Sequence, residues 1–528
     1  MSGILCTACF PPFNQTWLCW IALTPLIAAI WLSPRNSKRP WLRDLLLGYV
    51  AGAIFFTAGF SWLGSLGILF ENFWLRGLPL LLSLYLGLNF AFWSYVVGLV
   101  RPANFVSSWR NLLAAFLAAS AWVAHEWTRG WLFGGFGWNG LGVALHGQWP
   151  LIQIAEFTGV SGLSFVIAFA NVIAVTTPVR LFFEARTHKM RPHWDVNFTV
   201  LAIVGLLTFG WHAVQSPRAS KSIRVAAVQA EISQREKFDR QFFAAKIFDQ
   251  FTRLSAIALQ TKPPPDLLIW PESSMPGPVL EDEQSHRFVM DFSASTKTDL
   301  LLGTIDEEEE RIYNAALLVS GSGQNVQIYR KVHLVPFGEY VPLRHSFPLF
   351  AAVAGHWVPG DFDFGKEYTV FRLTNGDVQV APLICFEDTV GELTRQFVRR
   401  GANLLVNVTN DGWFLHSAGS QQHLANAVFR CVETRRPMAR AANTGVTCFV
   451  NEFGRVTQVL QDDTGSTFTQ GVLTGEVNVP QDRQLTFYTR HGELFAQLCA
   501  GVTLIALVVT AVRRKKLTRP HTVESLNR

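Results

Sequence analysis

The sequence runs to 528 residues, 49% of them hydrophobic and only 16% charged, with 18 Trp and 42 Phe, whereas soluble domains average about 25% charged residues. A wholly soluble chain is excluded on that balance; so are a disulfide scaffold, since seven cysteines are sparse in this length, and a disordered chain, since polar low-complexity composition is absent. The formal charge of +6 comes from Lys and Arg that bracket apolar runs, a distribution that points to a membrane and not to nucleic acid.

Taken in chain order, residues 3–13 are apolar but about half the length of a span, are broken by Pro11 and Pro12, and lack the basic start of a signal peptide. Cys6 and Cys9 match C-x-x-C there, but no second ligand pair accompanies them, so two small core thiols are the better reading than a metal or redox site. Runs of spanning length follow at 16–32, 45–65, 78–100, 111–132, 161–179, 196–214 and 494–512. Short loops rich in Lys and Arg stay on the cytoplasmic side. Arg35, Lys38, Arg39 and Arg43 follow the first run; only Arg76 follows the second; Arg101 and Arg110 follow the third; residues 132–162 carry no Lys or Arg. Arg180, Arg186, Lys189 and Arg191 precede the sixth, and Arg513, Arg514, Lys515, Lys516 and Arg519 end the chain. The alternation predicts that everything between about residues 215 and 493 lies on the non-cytoplasmic face, and it divides the chain into a helical bundle (1–214), an extramembrane domain (215–490) and a closing helix with a basic tail (491–528).

The extramembrane segment holds most of the Asp and Glu and is long enough for one domain with its own core. Short β-branched and Leu-rich runs at 223–229, 267–270, 300–303, 378–385, 404–408 and 446–450 alternate with helical stretches, which predicts an α/β domain with buried strands. Serine-hydrolase, nucleotide and zinc-peptidase signatures are absent from the sequence.

Three segments place a reactive side chain just after a predicted strand or in a turn-rich loop: Trp270-Pro-Glu272-Ser-Ser, Tyr329-Arg-Lys331 continuing to Glu339-Tyr-Val-Pro342, and Leu383-Ile-Cys385-Phe-Glu387-Asp. A thiol is only a few per cent ionised at neutral pH, so Cys385 needs a base, and Glu272, half-buried beside Trp270 and Pro271, suits that task. Lys331 supplies a fixed charge for an oxyanion, and the backbone N–H of Phe386 is a candidate second donor. A lone Cys, Glu or Lys at a strand end is usually packing or a solvated charge; all three together in ordered motifs reverse that reading. Cys431 and Cys448, without such motifs, are assigned to the core.

These segments together resemble the nitrilase (carbon–nitrogen hydrolase) superfamily, whose Glu-Lys-Cys triad occupies these contexts in this order. With the apolar spans, the Glu126-Trp-Thr-Arg129-Gly130 element, the long Lys331-to-Pro342 motif and Asn407-Val-Thr-Asn410-Asp411-Gly-Trp413-Phe414, the resemblance narrows to the bacterial apolipoprotein N-acyltransferases. That resemblance implies a polytopic α-helical membrane bundle plus an α/β nitrilase-like αββα sandwich, held at the periplasmic side of the bacterial inner membrane. It implies an acyl chain passed from a phospholipid, typically phosphatidylethanolamine, through a Cys385 thioester to the α-amine of a diacylglyceryl apolipoprotein, with ping-pong kinetics and no metal or organic cofactor. By the same resemblance Glu339 is a further essential carboxylate and Glu387 belongs to the active-site neighbourhood, with a salt-bridged structural acid as the alternative reading of Glu387. Asn410, Trp413 and Arg430 shape the pocket or hold loops, and His333 has a structural hydrogen-bonding role. Phe386 stands where relatives commonly have Tyr, and Phe238, before Asp239, where a Trp is common. The apolar segment 347–358 is a candidate lid, with a buried hairpin as its alternative. A membrane-anchored hydrolase of a small amide is the competing function, and a non-catalytic lipid-binding protein leaves the Glu-Lys-Cys set unexplained.

Overall fold

The computed structural model describes residues 1–34, 39–216, 219–239, 242–342, 344 and 360–518. The candidate lid at 347–358 lies outside them. At its borders the described residues are pinned: Arg344 pairs with Asp361 at 2.7 Å, and Asp361 also accepts from the Val341 amide at 2.9 Å.

Five helices among the described residues are long and apolar enough to cross a bilayer: Pro40–Gly59, Phe73–Leu99, Val160–Thr187, Trp194–Gln215 and Leu494–Arg514. Two of the seven expected spans differ. The run at 16–32 is a 3₁₀ turn, Thr16–Trp20, followed by a helix of nine residues, Thr24–Leu32, and is too short to cross as one helix. The run at 111–132 is the 22-residue helix Ser108–Arg129, long enough in rise but carrying Arg110, Asn111, His125, Glu126 and Arg129. Asn111 and Glu126 find partners within the bundle, while both ring nitrogens of His125 and Nε of Arg129 have no hydrogen-bond partner among the described residues. Asn111 donates to Asp195 at 2.7 Å, and Glu126 accepts from the Trp122 indole at 2.7 Å and from the Leu141 amide at 2.6 Å. The opening segment is a seven-residue helix, Ser2–Ala8, with Cys6 and Cys9 both buried in the core. At the end of the bundle where the basic loops gather, buried Arg180 pairs with Glu184 at 2.8 Å and Asp195 at 3.1 Å, tying two helices together.

Beyond residue 219 the chain builds two six-stranded sheets. The first contains β1 (Ser220–Gln229), β2 (Leu267–Trp270), β3 (Asp299–Glu308), β4 (Arg311–Val319) and β5 (Val326–Arg330); the second contains β6 (Phe371–Arg372), β7 (Gln379–Ile384), β8 (Leu404–Thr409), β9 (Met438–Ala442), β10 (Cys448–Val450) and β11 (Val456–Val459). The last strand, β12 (Gly471–Pro480), returns to pair antiparallel with β1. Each sheet has a parallel centre, β1-β2-β3 and β7-β8-β9, flanked by antiparallel strands. Five of these six central strands, all but β9, are runs legible in the sequence as continuous apolar strands, because strands covered on both faces lose the polar alternation.

Alternate residues of the first sheet face opposite ways. Val225, Ala227, Leu267, Ile269 and Leu301 share a core with Val380, Leu383, Leu405 and Val406 of the second sheet. Ala226, Val228, Leu268, Trp270 and Leu302 pack instead on the helices Ala244–Leu259 and Glu283–Thr296. On the second sheet lie α1 (Gly391–Arg399) and α2 (Gly419–Thr434), contributing Phe397, Val428 and Val432 to the same core. The layering is helix, sheet, sheet, helix, and it brings the C-terminal ends of the two parallel centres to one rim.

Candidate active site

Glu272 sits in the turn after β2, its chain held by exchanges across to β3: the Gly303 amide donates to the Pro271 carbonyl at 3.2 Å and the Ser274 amide to the Gly303 carbonyl at 3.0 Å. Gly303 is required by this approach, since a Cβ there would lie 2.5 Å from the Glu272 Cα. The Glu272 side chain is buried; Oε1 accepts from the Asn314 amide at 2.8 Å, and Oε2 has no hydrogen-bond partner. Asn314, on β4, uses the same nitrogen to reach Glu339 Oε1 at 2.7 Å, so one amide is shared by two carboxylates.

Lys331 directly follows β5 and is tied in by its own amide, which donates to the Asn314 carbonyl at 2.8 Å. Its buried ammonium contacts both oxygens of Glu339, at 2.9 and 2.8 Å. Glu339 is braced by the Val335 amide at 2.8 Å. Burial alone would depress the Lys331 pKa, but Glu339, then Cys385 and Glu272, more than offset it, so the ammonium is held charged.

Cys385 ends β7 with φ at +50°, a left-handed backbone that is costly for a residue with a Cβ, and begins the 3₁₀ turn Cys385–Thr389. The Asn407 amide donates to the Cys385 carbonyl at 3.0 Å and supports that conformation. Burial and the Glu272 carboxylate push the thiol well up while Lys331 draws it down. Burial likewise raises Glu272, opposed by Lys331 and reinforced by Glu339. Thiol and carboxyl therefore both favour their neutral forms in this environment. The three groups expected from the sequence thus share one buried electrostatic environment, on the rim where the two sheets meet.

Glu387 was open to reading as a salt-bridged structural acid. No cation pairs with it among the described residues; instead Oε1 accepts from the Tyr329 hydroxyl at 2.7 Å and the Val332 and His333 amides at 2.9 and 3.0 Å, and Oε2 accepts from the Ile384 amide at 2.9 Å. This one carboxylate fastens the strand end carrying Lys331 to the strand end carrying Cys385, and burial pushes its pKa up to about 7. The His333 ring lies 5.7 Å from the Phe386 ring, nearly parallel to it, and burial with Lys331 nearby lowers its pKa to about 4, so it is neutral at pH 7.

The remaining predicted residues fall around this centre. Phe386 is buried in a stack with Phe136 at 6.0 Å and Trp138 at 5.9 Å, both from the loop that follows Ser108–Arg129 in the helical bundle. Asn410 bridges loops, accepting from Gly412 and Asn443 and donating to Gln234 at 2.9 Å. Trp413 stacks on Phe70 of the bundle at 6.3 Å. Arg430 donates to the Thr389 carbonyl and pairs with Glu433 at 2.7 Å, holding the far end of the Cys385 turn. Phe238 ends the short helix Gln234–Phe238, and its side chain lies outside the described residues.

Sequence reasoning missed the group behind the thiol. Arg440 on β9 bonds Asp388, Asp411 at 3.1 Å and Asn407 at 2.8 Å, and His423 lies between the same two carboxylates, 2.9 Å from Asp388 and 2.8 Å from Asp411. All are buried. A lone Asn, Arg or Asp inside an apolar strand run, as at Asn314, Asn407 and Arg440, is the signal that could have found these residues, because a buried polar group demands a partner.

A family model described as the apolipoprotein N-acyltransferase N-terminal domain matches residues 2–173, and one described as carbon-nitrogen hydrolase matches residues 224–485. The chain is 33% identical over 529 residues to a Geobacter metallireducens protein named apolipoprotein N-acyltransferase, covering 98% of this chain and 95% of the relative. A Chlorobaculum tepidum protein of the same name is 30% identical over 561 residues, with 98% and 96% covered. Among solved structures, an amidase from Nesterenkonia sp. AN1 is similar at 19% identity and a TM-score of 0.38, covering 53% of this chain and 97% of the amidase.

Two predictions follow from the bracing groups. Glu387→Gln leaves an amide that turns donors toward donors in a site built from four of them; each unsatisfied buried donor costs about 1–3 kcal/mol, and thermal unfolding followed in detergent should report a lower Tm. Burial disfavours the charged His423 ring, but Asp388 and Asp411 outweigh it and hold its pKa up to about 9, above an unfolded value of about 6.5. The stability it adds is complete below the unfolded pKa and lost as pH rises through the folded one. The Tm difference between the protein and His423→Gln should therefore shrink between neutral pH and pH 10.

Proposed function

The chain belongs to the apolipoprotein N-acyltransferase family, and from that premise we propose that it transfers an acyl chain from a phospholipid to the α-amine of a diacylglyceryl apolipoprotein through a thioester on Cys385. Glu272 takes the Cys385 proton as sulfur attacks the ester carbonyl. The resulting oxyanion is met by the Lys331 ammonium and the Phe386 backbone N–H. The carbon–oxygen bond then breaks, Glu272 returns its proton to the leaving alcohol, and a lysophospholipid departs. In the second half the apolipoprotein amine attacks the thioester, gives a proton to Glu272, and the carbon–sulfur bond breaks; the sulfur recovers the proton. Two half-reactions on one sulfur give ping-pong kinetics. Glu339 fixes Lys331, and Glu387 fixes the two strand ends.

The observation that carries this reading over a hydrolase of small amides is the stack of Phe386, the residue after Cys385, on Phe136 and Trp138 of the helical bundle. A thiol whose next residue packs on the helical bundle is placed to receive an ester whose chains never leave lipid, which a soluble amide does not need. Phosphatidylethanolamine is the proposed donor. The proposed setting is the bacterial inner membrane with residues 215–490 on the periplasmic side as a catalytic domain between the bundle and the last helix, in accord with the alternation of basic and non-basic loops.

Incubation of the purified protein with labelled phosphatidylethanolamine and a diacylated lipopeptide should yield acyl-Cys385 by mass spectrometry and then a triacylated product. Cys385→Ala should form neither, and Glu272→Gln should lose roughly 10²-fold or more in the rate of acyl-enzyme formation. Hydrolysis of the thioester with no transfer to the lipopeptide would favour the amidase-like alternative, and normal turnover by Cys385→Ala would end the mechanism.

A further inference from the structure

Gln422, the fourth residue of α2 (Gly419–Thr434), has almost no solvent exposure and spends its whole amide on the helical bundle. Its Oε1 accepts from the indole N–H of Trp62 at 3.0 Å, the indole N–H of Trp138 at 3.1 Å and the side-chain amide of Asn139 at 2.9 Å. Its Nε2 donates to the Pro11 carbonyl at 2.8 Å and the Gly59 carbonyl at 3.1 Å. Five groups from three separate stretches of the bundle thus converge on one side chain. The partners also fix which end is oxygen: donors face Oε1 and carbonyls face Nε2. Asn139 holds a left-handed backbone with φ at +53°, and Asn426, one turn further along α2, receives its amide at 3.2 Å.

The neighbour of Gln422 faces the chemistry. His423 sits between Asp388 and Asp411 behind the Cys385 turn, and its ring lies 5.2 Å from that of Trp138, which in turn stacks on Phe386. Two adjacent residues of one helix therefore grip, respectively, the bundle loop and the turn that carries the nucleophile.

We propose that Gln422 is a positioning residue for acyl transfer: it sets the bundle loop 136–139 against the Cys385 turn, so that a membrane-held ester meets the thiol in attacking geometry. The inference rests on the reading of Cys385 as acyl acceptor. It concerns delivery of a lipid-borne carbonyl and not the intrinsic reactivity of the sulfur, and these two properties can be read separately.

The full-length protein in vesicles of phosphatidylethanolamine and phosphatidylglycerol provides the test, with the rate of acyl-Cys385 formation measured beside the rate of Cys385 alkylation by iodoacetamide. Gln422→Glu keeps the shape but turns an oxygen toward the Pro11 and Gly59 carbonyls. It should slow acylation at least about tenfold while leaving alkylation within about twofold, the split expected when orientation and not nucleophilicity is lost. Trp62→Phe deletes a single donor while keeping an aromatic ring against Trp138 and Phe414, and should give the same split at about threefold; it decides the matter if Gln422→Glu does not fold. Unchanged acylation in a folded variant overturns the inference, as does an equal fall of both rates, which would assign Gln422 to the stability of the fold alone. Failure of the unsubstituted protein to form acyl-Cys385 would instead remove the proposed function, and this inference with it.

Discussion

Glu272, Glu339 and the Lys331 ammonium are packed together beside a thiol, with a second buried ammonium, Lys237, on the Glu272 carbonyl at 3.1 Å, and the way these charges pair organises the site. Lys331 can neutralise only one acid closely, and the geometry decides which: both oxygens of Glu339 lie within 2.9 Å of the ammonium, while Glu272 is held through the shared amide of Asn314 and keeps one oxygen unpartnered. Glu339 and Lys331 form a pair whose charges cancel at little gain in mobility. Glu272 is left as the acid whose proton is free to move, since burial raises its pKa and a second negative charge nearby raises it further. The same three formal charges arranged the other way, with Lys331 bound to Glu272, would give a rigid salt bridge and no base. Asn314 is therefore as decisive as the charged groups: its two-way donation keeps the acids apart and assigns them different roles.

The features legible in the sequence are those that leave a local mark. The central parallel strands other than β9 read as continuous apolar runs, and Glu272 and Cys385 each stand just beyond such a run, so their convergence could be expected from the way parallel sheets present their C-terminal ends; Lys331 follows the antiparallel strand β5, which left no such run. The strands β4, β5, β9 and β12 carry polar or charged residues among their apolar ones, and their pairing depends on partners far along the chain. Glu387 was ambiguous because an acid beside a nucleophile is as well satisfied by a cation as by backbone amides. Its four donors come from two segments, and only the fold brings them to one carboxylate. The stack of Phe386 on Phe136 and Trp138 left no trace at all: aromatic residues in an apolar loop look alike whether they face lipid, core or a distant turn.

The span count failed for a related reason. Hydropathy averages over a helix, but a bilayer and a bundle interior ask different things of it. Trp194–Gln215 has hardly any of its span buried inside the protein, whereas Ser108–Arg129 runs among other helices with thirteen of its residues buried. A helix surrounded by protein can hold Asn111, His125, Glu126 and Arg129 when neighbours supply partners, as Asp195, Trp122 and Leu141 do for two of them, and it pays in apolarity without leaving the bundle. The short helix Thr24–Leu32 is likewise sustained by contact: the Leu23 amide before it donates to the Asn171 side chain of Val160–Thr187 at 2.9 Å.

An acyl-enzyme that waits for a second lipid-borne substrate has to hold its thioester against water, and on the proposed reading the demands of the two halves of the reaction conflict. Attack needs a proton acceptor and a positive charge at the carbonyl, and both attract water; persistence of the thioester needs water kept out. The arrangement here separates those demands in space. The charges are satisfied from behind, by Asn314, Glu339 and the carboxylates around His423 and Arg440, none of which needs solvent to be stable. On the other side the residue after the thiol is covered by aromatic surface, with Phe386 laid against Phe136 and Trp138 of the bundle. Charges paired within the protein and aromatic surface from the bundle would together let an ester or an amine arrive with its lipid while water gains little by entering. The burial that raises the Cys385 and Glu272 pKa values is thus the same physical condition that protects the intermediate.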